Sequence, residues 1–435
     1  MTAASRFCTH ATRSLRRSLV DCCALLGLAA MLAAGAAADQ ATLELVEPSV
    51  APPLELVETF PLETDLDHPD LPEAHEVWLE MIGAAQQELS FAQFYASNAP
   101  ESRLEAVVQA ILAAARRGVD VRFLAEKKFY ATYPQTLDRL GAADGIEVRI
   151  FDVAALMGGV LHAKYFIVDS RQAYVGSQNF DWRALAHIQE LGLRLREARL
   201  VAPLRQLFEM DWALAGGAPR AEVMANLVAI QDYPVVVSKG EEESAEPITV
   251  TPALSPATWL PDGRLWDLPQ ILRLIDQAEE TVRVQLLTYR AVGRDGDYFA
   301  KLESALRRAA ARGVRVEMLL ADWSKRRGTI EGLQSLQVLP GIEVRLMTIP
   351  PWSGGFIPYA RVIHAKYLVT DGRAAWLGSS NWERDYFHAS RNVGLVISGG
   401  AIPPRLDRYF ARNWESEYTE TVDPCRGYTP PRIGE

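Results

Sequence analysis

The chain has 435 residues, of which 49% are hydrophobic and 23% charged, and its formal net charge is −10. This balance supplies apolar mass for two cores of ordinary size and excludes a chain disordered throughout. The acidity excludes the broad basic footprint of a duplex-DNA binder, but it leaves room for a local positive cleft around a phosphate.

Residues 1–38 have the pattern of an export signal. Arg6, Arg13, Arg16 and Arg17 make a basic start, Ala24 to Ala34 is apolar, and Ala36-Ala37-Ala38 offers small residues for cleavage. The alternative is an uncleaved anchor. Either reading places the protein in the periplasm or outside the cell. The segment's own charge of +3, removed from −10, leaves −13 for the mature chain. Of Cys8, Cys22, Cys23 and Cys425 only the last remains after cleavage, which excludes an internal disulfide.

Glu44 to Glu63 reads as a leader strand or linker. A repeating α/β pattern then begins, with Glu76–Glu88 helical, Leu89–Tyr95 a buried strand, Arg103–Arg117 a helix closed by Gly118, and Val119–Leu124 a strand. The order returns later as helix Leu268–Glu280, strand Val282–Tyr289, helix Tyr298–Arg312 closed by Gly313, and strand Val314–Leu320. GIEVRI from Gly145 matches GIEVRL from Gly341. This is an internal duplication, and it predicts an α/β fold of two similar domains, 39–230 and 231–435, each a mixed sheet flanked by helices and related by a pseudo-twofold axis. The junction falls in Pro219–Glu246, and a second-half edge strand is expected near Ile248.

The segments from Leu161 to Phe180 and from Ile363 to Trp382 share the frame H-x-K-x4-D-x6-G-S-x-N. The second half carries a loop six residues longer ahead of its histidine, from Pro350 to Ala360. His162 and Lys164, like His364 and Lys366, are two apart and share one face of a strand. Asp169 and Asp371 fall at a hairpin turn, a supporting position. The return strand ends at Ser177 and Ser379, so Asn179 and Asn381 come back beside the His-Lys pairs. Packing the halves together then gathers two histidines, two lysines and two asparagines.

Such a set suits phosphoryl transfer with no metal or cofactor. One imidazole attacks phosphorus to form phosphohistidine, the other protonates the leaving oxygen, and lysines and asparagines hold the non-bridging oxygens. The two roles need different surroundings. Glu190 lies 28 residues after His162, whereas Asn392 occupies that position after His364. A carboxylate fixes the tautomer of a neighbouring imidazole and stabilises its cation, so His162 is expected to be the nucleophile and His364 the acid.

The doubled frame resembles the phospholipase D superfamily across nearly the whole mature chain. GVLHAKYFIVD with VGSQNFDWRALAHIQELG, and IPYARVIHAKYLVTD with GSSNWERDYF, are similar to the D3/D4 branch, as are the strands ending in Tyr95 and Tyr289. That resemblance implies 5′-exonuclease action on single-stranded nucleic acid. The branch's luminal cysteines are absent here. GSQNFDWRAL also resembles cardiolipin synthases, which keeps a phospholipase or phosphatidyltransferase as the alternative. Intact His, Lys and Asn in both halves argue against a catalytically silent binding protein. One chain with two frames builds the site without an oligomer.

Residues outside the frame read more plainly. His68 and His75 are expected to be solvated, while His187 and His388 either line the cleft or pack. Phe180, Trp182, Trp382 and Tyr386 either stack on substrate or wedge the halves together. Arg116-Arg117 and Arg307-Arg308 are charges at helix C-termini. Lys325-Arg326-Arg327 is the basic run that could face a phosphate.

Overall fold

The computed structural model describes residues 51–227, 232–237, 247–293 and 296–434. The export signal, Cys8, Cys22 and Cys23 lie outside them, as does part of the junction. Residues 51–435 form one unit.

The first half contributes strands β1 (Leu54–Thr59), β2 (Glu88–Gln93), β3 (Ala96–Ser97), β4 (Asp120–Glu126), β5 (Ile146–Phe151), β6 (Lys164–Val168), β7 (Gln172–Gly176), β8 (Phe180–Asp181) and β9 (Glu190–Leu195). Its helices are α1 (Ala74–Ala84), α2 (Arg103–Arg116), α3 (Lys127–Tyr130), α4 (Gln135–Gly141), α5 (Val153–Met157), α6 (Ala198–Ala215) and α7 (Arg220–Ala225). The second half adds β10 (Val235–Val237), β11 (Ile248–Ser255), β12 (Thr281–Leu286), β13 (Arg315–Ala321), β14 (Ile342–Met347), β15 (Tyr367–Thr370), β16 (Ala374–Gly378), β17 (Asn392–Ser398) and β18 (Thr419–Thr421). Helices α8 (Asp267–Gln277), α9 (Ala300–Ala311), α10 (Ile330–Gln337), α11 (Arg384–His388) and α12 (Ile402–Trp414) complete it.

The sheets run β1-β9-β7-β6-β2-β4-β5 and β10-β11-β17-β16-β15-β12-β13-β14-β18. In each, three strands are parallel (β2, β4, β5 and β12, β13, β14) because helical crossovers join them, and the rest are antiparallel. Mixed α/β sheets are therefore present in both halves. Ile248 does begin a strand, but β10 pairs on its outer side, so β11 lies one place in from the edge.

Three apolar cores hold the layers. Two are private, under α1–α2 and under α8–α9. The largest is shared between the halves. Helix α6 touches its own sheet and β11 of the other, and α12 touches its own sheet and β1. Arg117 donates to the Ile82, Gly83 and Ala85 carbonyls at the end of α1, and Arg312 to the Ile275 and Ala278 carbonyls at the end of α8, so these arginines tie helix to helix.

Each frame forms the expected hairpin, β6–β7 and β15–β16. Asp169 and Asp371 sit at the turns with φ of 51° and 54°. The Asp169 carboxylate accepts N–H bonds from Gln86, Gln87 and Glu88, and Asp371 accepts from Glu279, Glu280 and Thr281. Both aspartates lock the hairpin to the entry of the central strand, at the end of the hairpin remote from the histidines. That is the supporting position read from the sequence.

Candidate active site

The halves meet through exchanged backbone bonds. The His162 N–H donates to the Arg391 carbonyl at 2.8 Å, and the His364 N–H to the Gln189 carbonyl at 2.8 Å. Gln189 and Arg391 in turn donate to Val362 and Val160 at 3.0 and 2.9 Å. Gly159 lets the chains approach, since a Cβ there would lie 2.6 Å from the Ala389 carbonyl. Each histidine is thus carried on a strand end stitched to the other half.

The crossing decides the partners. Glu190 faces His364, with its oxygens 2.8 and 2.9 Å from Nδ1. Asn392 faces His162, with Oδ1 3.1 Å from Nδ1. The expectation that Glu190 serves the histidine of its own half is overturned, because its neighbour Gln189 is bonded to the opposite His-Lys strand. The role expected from that pairing moves with it, from His162 to His364. The Asn392 amide donates to Ser255 Oγ, Tyr386 O and Ser390 O, which turns its oxygen toward His162. Both imidazoles therefore carry the proton on Nδ1 and leave Nε2 for the substrate. Ser177 and Ser379 brace these partners. Ser379 Oγ donates to Asn392 Oδ1, and the Ser177 hydroxyl hydrogen-bonds the Glu190 carboxyl.

The polar set is buried and convergent. Lys164 and Lys366 donate to the carbonyls of His162 and His364, and both lysines act electrostatically on both histidines. Burial, reinforced by the lysines, holds both imidazoles well below their usual range. Burial also lowers Lys164, and it brings Lys366 down to about 7 and pushes Glu190 up to about 8. An anion placed among them reverses this, drawing protons onto lysine and imidazole. Asn179 Oδ1 and Asn381 Oδ1 are buried without a protein partner. The seven residues expected to act are all here, in one chain.

Two cavities open from this centre. The narrower, about 370 Å³, is lined by Phe94, Tyr95, Phe129, Tyr133, Asn179 and His364. The wider, about 660 Å³, is lined by Lys128, Arg290, Arg326, Arg384, Asn381 and Tyr386, with Glu383 and Asp385. Leu287, Trp323 and Tyr359 line both. His162 stands between them, edge-on to Phe94 at 4.9 Å and to Tyr386 at 4.8 Å.

The two halves match a family model described as the phospholipase D-like domain of cardiolipin synthase, over residues 78–212 and 271–414. The chain belongs to the phospholipase D superfamily. It is 30% identical to the bovine 5′-3′ exonuclease PLD3 over 403 residues, 85% of this chain and 80% of that protein. It is also 30% identical to the human 5′-3′ exonuclease PLD4 over 409 residues, 85% and 79%. Among solved structures, a Haemophilus influenzae phosphatidylserine synthase shares the fold with a TM-score of 0.58 and 14% identity, covering 80% of this chain and 85% of that one. This superfamily member is therefore an enzyme of phosphodiester chemistry, similar to the PLD3/PLD4 branch.

Other expectations need correction. Phe180 and Trp382 are fully buried in the private cores, because alternation turns the residue after each asparagine inward. Trp182 packs on His187, and only Tyr386 of that group reaches a cavity. His187 packs against Trp182 and Trp352, and His388 against Trp266 and Phe299. His68 is buried and stacked on Tyr409 at 4.0 Å rather than solvated. Of the basic run, Arg326 lines the wider cavity while Lys325 pairs with Glu420. Tyr289 is buried, so only Tyr95 of the two strand-end tyrosines lines a cavity. Sequence reasoning missed Phe94, Phe129, Tyr133 and Glu126. The Glu126 carboxylate accepts the Leu161 N–H and so fixes the segment that leads into His162.

Proposed function

We propose that this protein is a metal-independent phosphodiesterase that works through a phosphohistidine on single-stranded nucleic acid, removing nucleotides from an end. His364 Nε2 attacks phosphorus and forms the N–P bond as the P–O bond to the leaving group breaks. His162, protonated once the phosphate anion is seated, gives its proton to the departing oxygen. Glu190 stabilises the positive charge that arises on the His364 ring. Lys164, Lys366, Asn179 and Asn381 hold the non-bridging oxygens. Water then attacks phosphorus as His162 takes its proton, and the N–P bond breaks to free His364.

The observation that carries the substrate reading is the pair of unlike cavities meeting at the histidines. The narrow one is walled by stacked aromatics, with Tyr95 lying over Phe129 at 5.6 Å and over Tyr133 at 5.3 Å. Such a wall suits a base, and each base–aromatic stack contributes about 1–3 kcal/mol. The wide cavity is polar, with four basic side chains against two acidic ones, which suits phosphates better than acyl chains.

The test pairs two substrates, wild type against His364→Ala. Shortening of a 5′-hydroxyl single-stranded oligonucleotide in chelator, abolished by the substitution, supports the reading. Head-group release from phosphatidylglycerol vesicles alone moves the protein to the lipid enzymes. Activity that appears only with added divalent metal ends the metal-free mechanism.

A further inference from the structure

In-line displacement puts nucleophile and leaving oxygen on opposite sides of phosphorus. His364 lines only the narrow cavity, and His162 stands at the divide beside Tyr386 of the wide one. The nucleotide held on the enzyme therefore sits in the narrow cavity, and the part that departs points into the wide one.

The mouth of that wide cavity is unusual for this surface. Seven large apolar side chains stand exposed among the described residues. Five of them, Leu156, Val292, Tyr298, Phe356 and Tyr359, lie on three loops whose neighbouring residues line the wide cavity. Leu156 lies between the lining residues Ala154 and Gly158, and Val292 between Arg290 and Gly293. Tyr298 is bridged to Val292, and Phe356 is on the long loop that ends in Tyr359. The loop is fixed in place: Ser353 bonds Glu63, Arg183 Nη1 reaches the Pro358 carbonyl, and the Tyr359 N–H donates to Ile433. Arg432 covers only one face of Phe356, at 4.1 Å. A net +2 among the charged lining residues sits inside this apolar rim, on a chain whose overall charge is −10.

We propose that the wide cavity and its rim hold the departing strand, its phosphates over the basic lining and its bases against the rim. This rests on the nuclease reading above. A strand held there after each cleavage advances by one nucleotide instead of leaving, so the enzyme removes several nucleotides per encounter. Single-stranded nucleic acid fits because it presents bases and phosphates alternately, which matches an apolar rim around a basic floor.

The test uses Tyr298→Ser with Phe356→Ser in the full chain; both side chains are exposed, and a melting curve confirms the fold. A labelled oligonucleotide is digested in a single encounter, with heparin added as trap, and hydrolysis of bis(p-nitrophenyl) phosphate is measured beside it. Wild type is expected to release a ladder of several nucleotides per encounter. The variant is expected to release one or two, with KM for the oligonucleotide raised about tenfold, the equivalent of losing one stack. Hydrolysis of the small diester should stay within about twofold, since it reaches only the histidines.

An unchanged ladder and KM overturn the inference while leaving the nuclease intact. Loss of binding to phosphatidylglycerol vesicles with oligonucleotide digestion untouched assigns the rim to a membrane surface and also overturns it. A wild type that hydrolyses the small diester but no oligonucleotide sinks the nuclease reading itself.

Discussion

Replacing Glu190 with glutamine isolates the charge at His364, because the amide oxygen can still accept from Nδ1 and preserve the tautomer. At 2.8 Å and an effective dielectric of about 20, a carboxylate attracts an imidazolium by roughly 6 kcal/mol. Lys164 and Lys366 both act on Glu190 and offset part of this. A remaining effect of about 3–4 kcal/mol corresponds to a loss of roughly 10²–10³ in the rate of phosphoenzyme formation. The assay is rapid quench with a phosphodiester, on either side of pH 8, where the carboxyl ionises in the empty site. Asn392→Ala removes no charge and should slow leaving-group departure less. The reasoning fails if Glu190→Gln forms phosphoenzyme at the wild-type rate, or if His364→Ala still accumulates it while His162→Ala does not.

Three other perturbations read separate parts of the structure. Arg391 and Asp211 form a fully buried ion pair between the halves. Either single neutral substitution should cost about 3–5 kcal/mol in urea unfolding, and Arg391→Met with Asp211→Leu much less, because no buried charge is then left alone. Burial brings Lys366 to about 7, so it is an ammonium below that pH and an amine above. Sulfate, whose charge is constant there, should inhibit more strongly as pH falls through about 7, and Lys366→Met should flatten the dependence; a flat wild-type profile contradicts the lysine's role. For Asp371, burial raises the carboxyl but three backbone N–H bonds outweigh it and hold it below the usual range. A lowered carboxyl stabilises the fold above that range, and the contribution is lost as pH falls through it. Asp371→Asn should therefore cost about 1–3 kcal/mol near neutrality, with a smaller loss in acid, and leave the phosphoenzyme rate per folded molecule unchanged.

The histidines, lysines and asparagines were legible because the same polar residues recur at the same offsets in two strands that must otherwise be apolar. The hairpins were legible from period-two alternation around Asp-Ser and Asp-Gly. Glu190 was assigned to the wrong histidine because counting along the chain measures distance within one half, while the decisive contact crosses between halves. The cavity walls were the least legible part. Phe94, Phe129 and Tyr133 come from a strand end, a single-turn helix and a loop, and no periodicity marks such places. The aromatics that drew attention, Phe180 and Trp382, follow the asparagines in sequence but face the opposite way.

The exchange of partners across the interface also bears on how a duplicated enzyme can become unequal. In a homodimer of single halves, each histidine receives its partner from an identical copy, so both receive a carboxylate or both an amide. Joining the copies in one chain removes that symmetry. Residue 190 can then be acidic while residue 392 stays neutral, and each change is felt by the histidine of the other copy. Linkage in one polypeptide is thus what lets one imidazole specialise in attack and its twin in proton transfer, and separating the halves as free chains would put that division of labour at the mercy of which copies met.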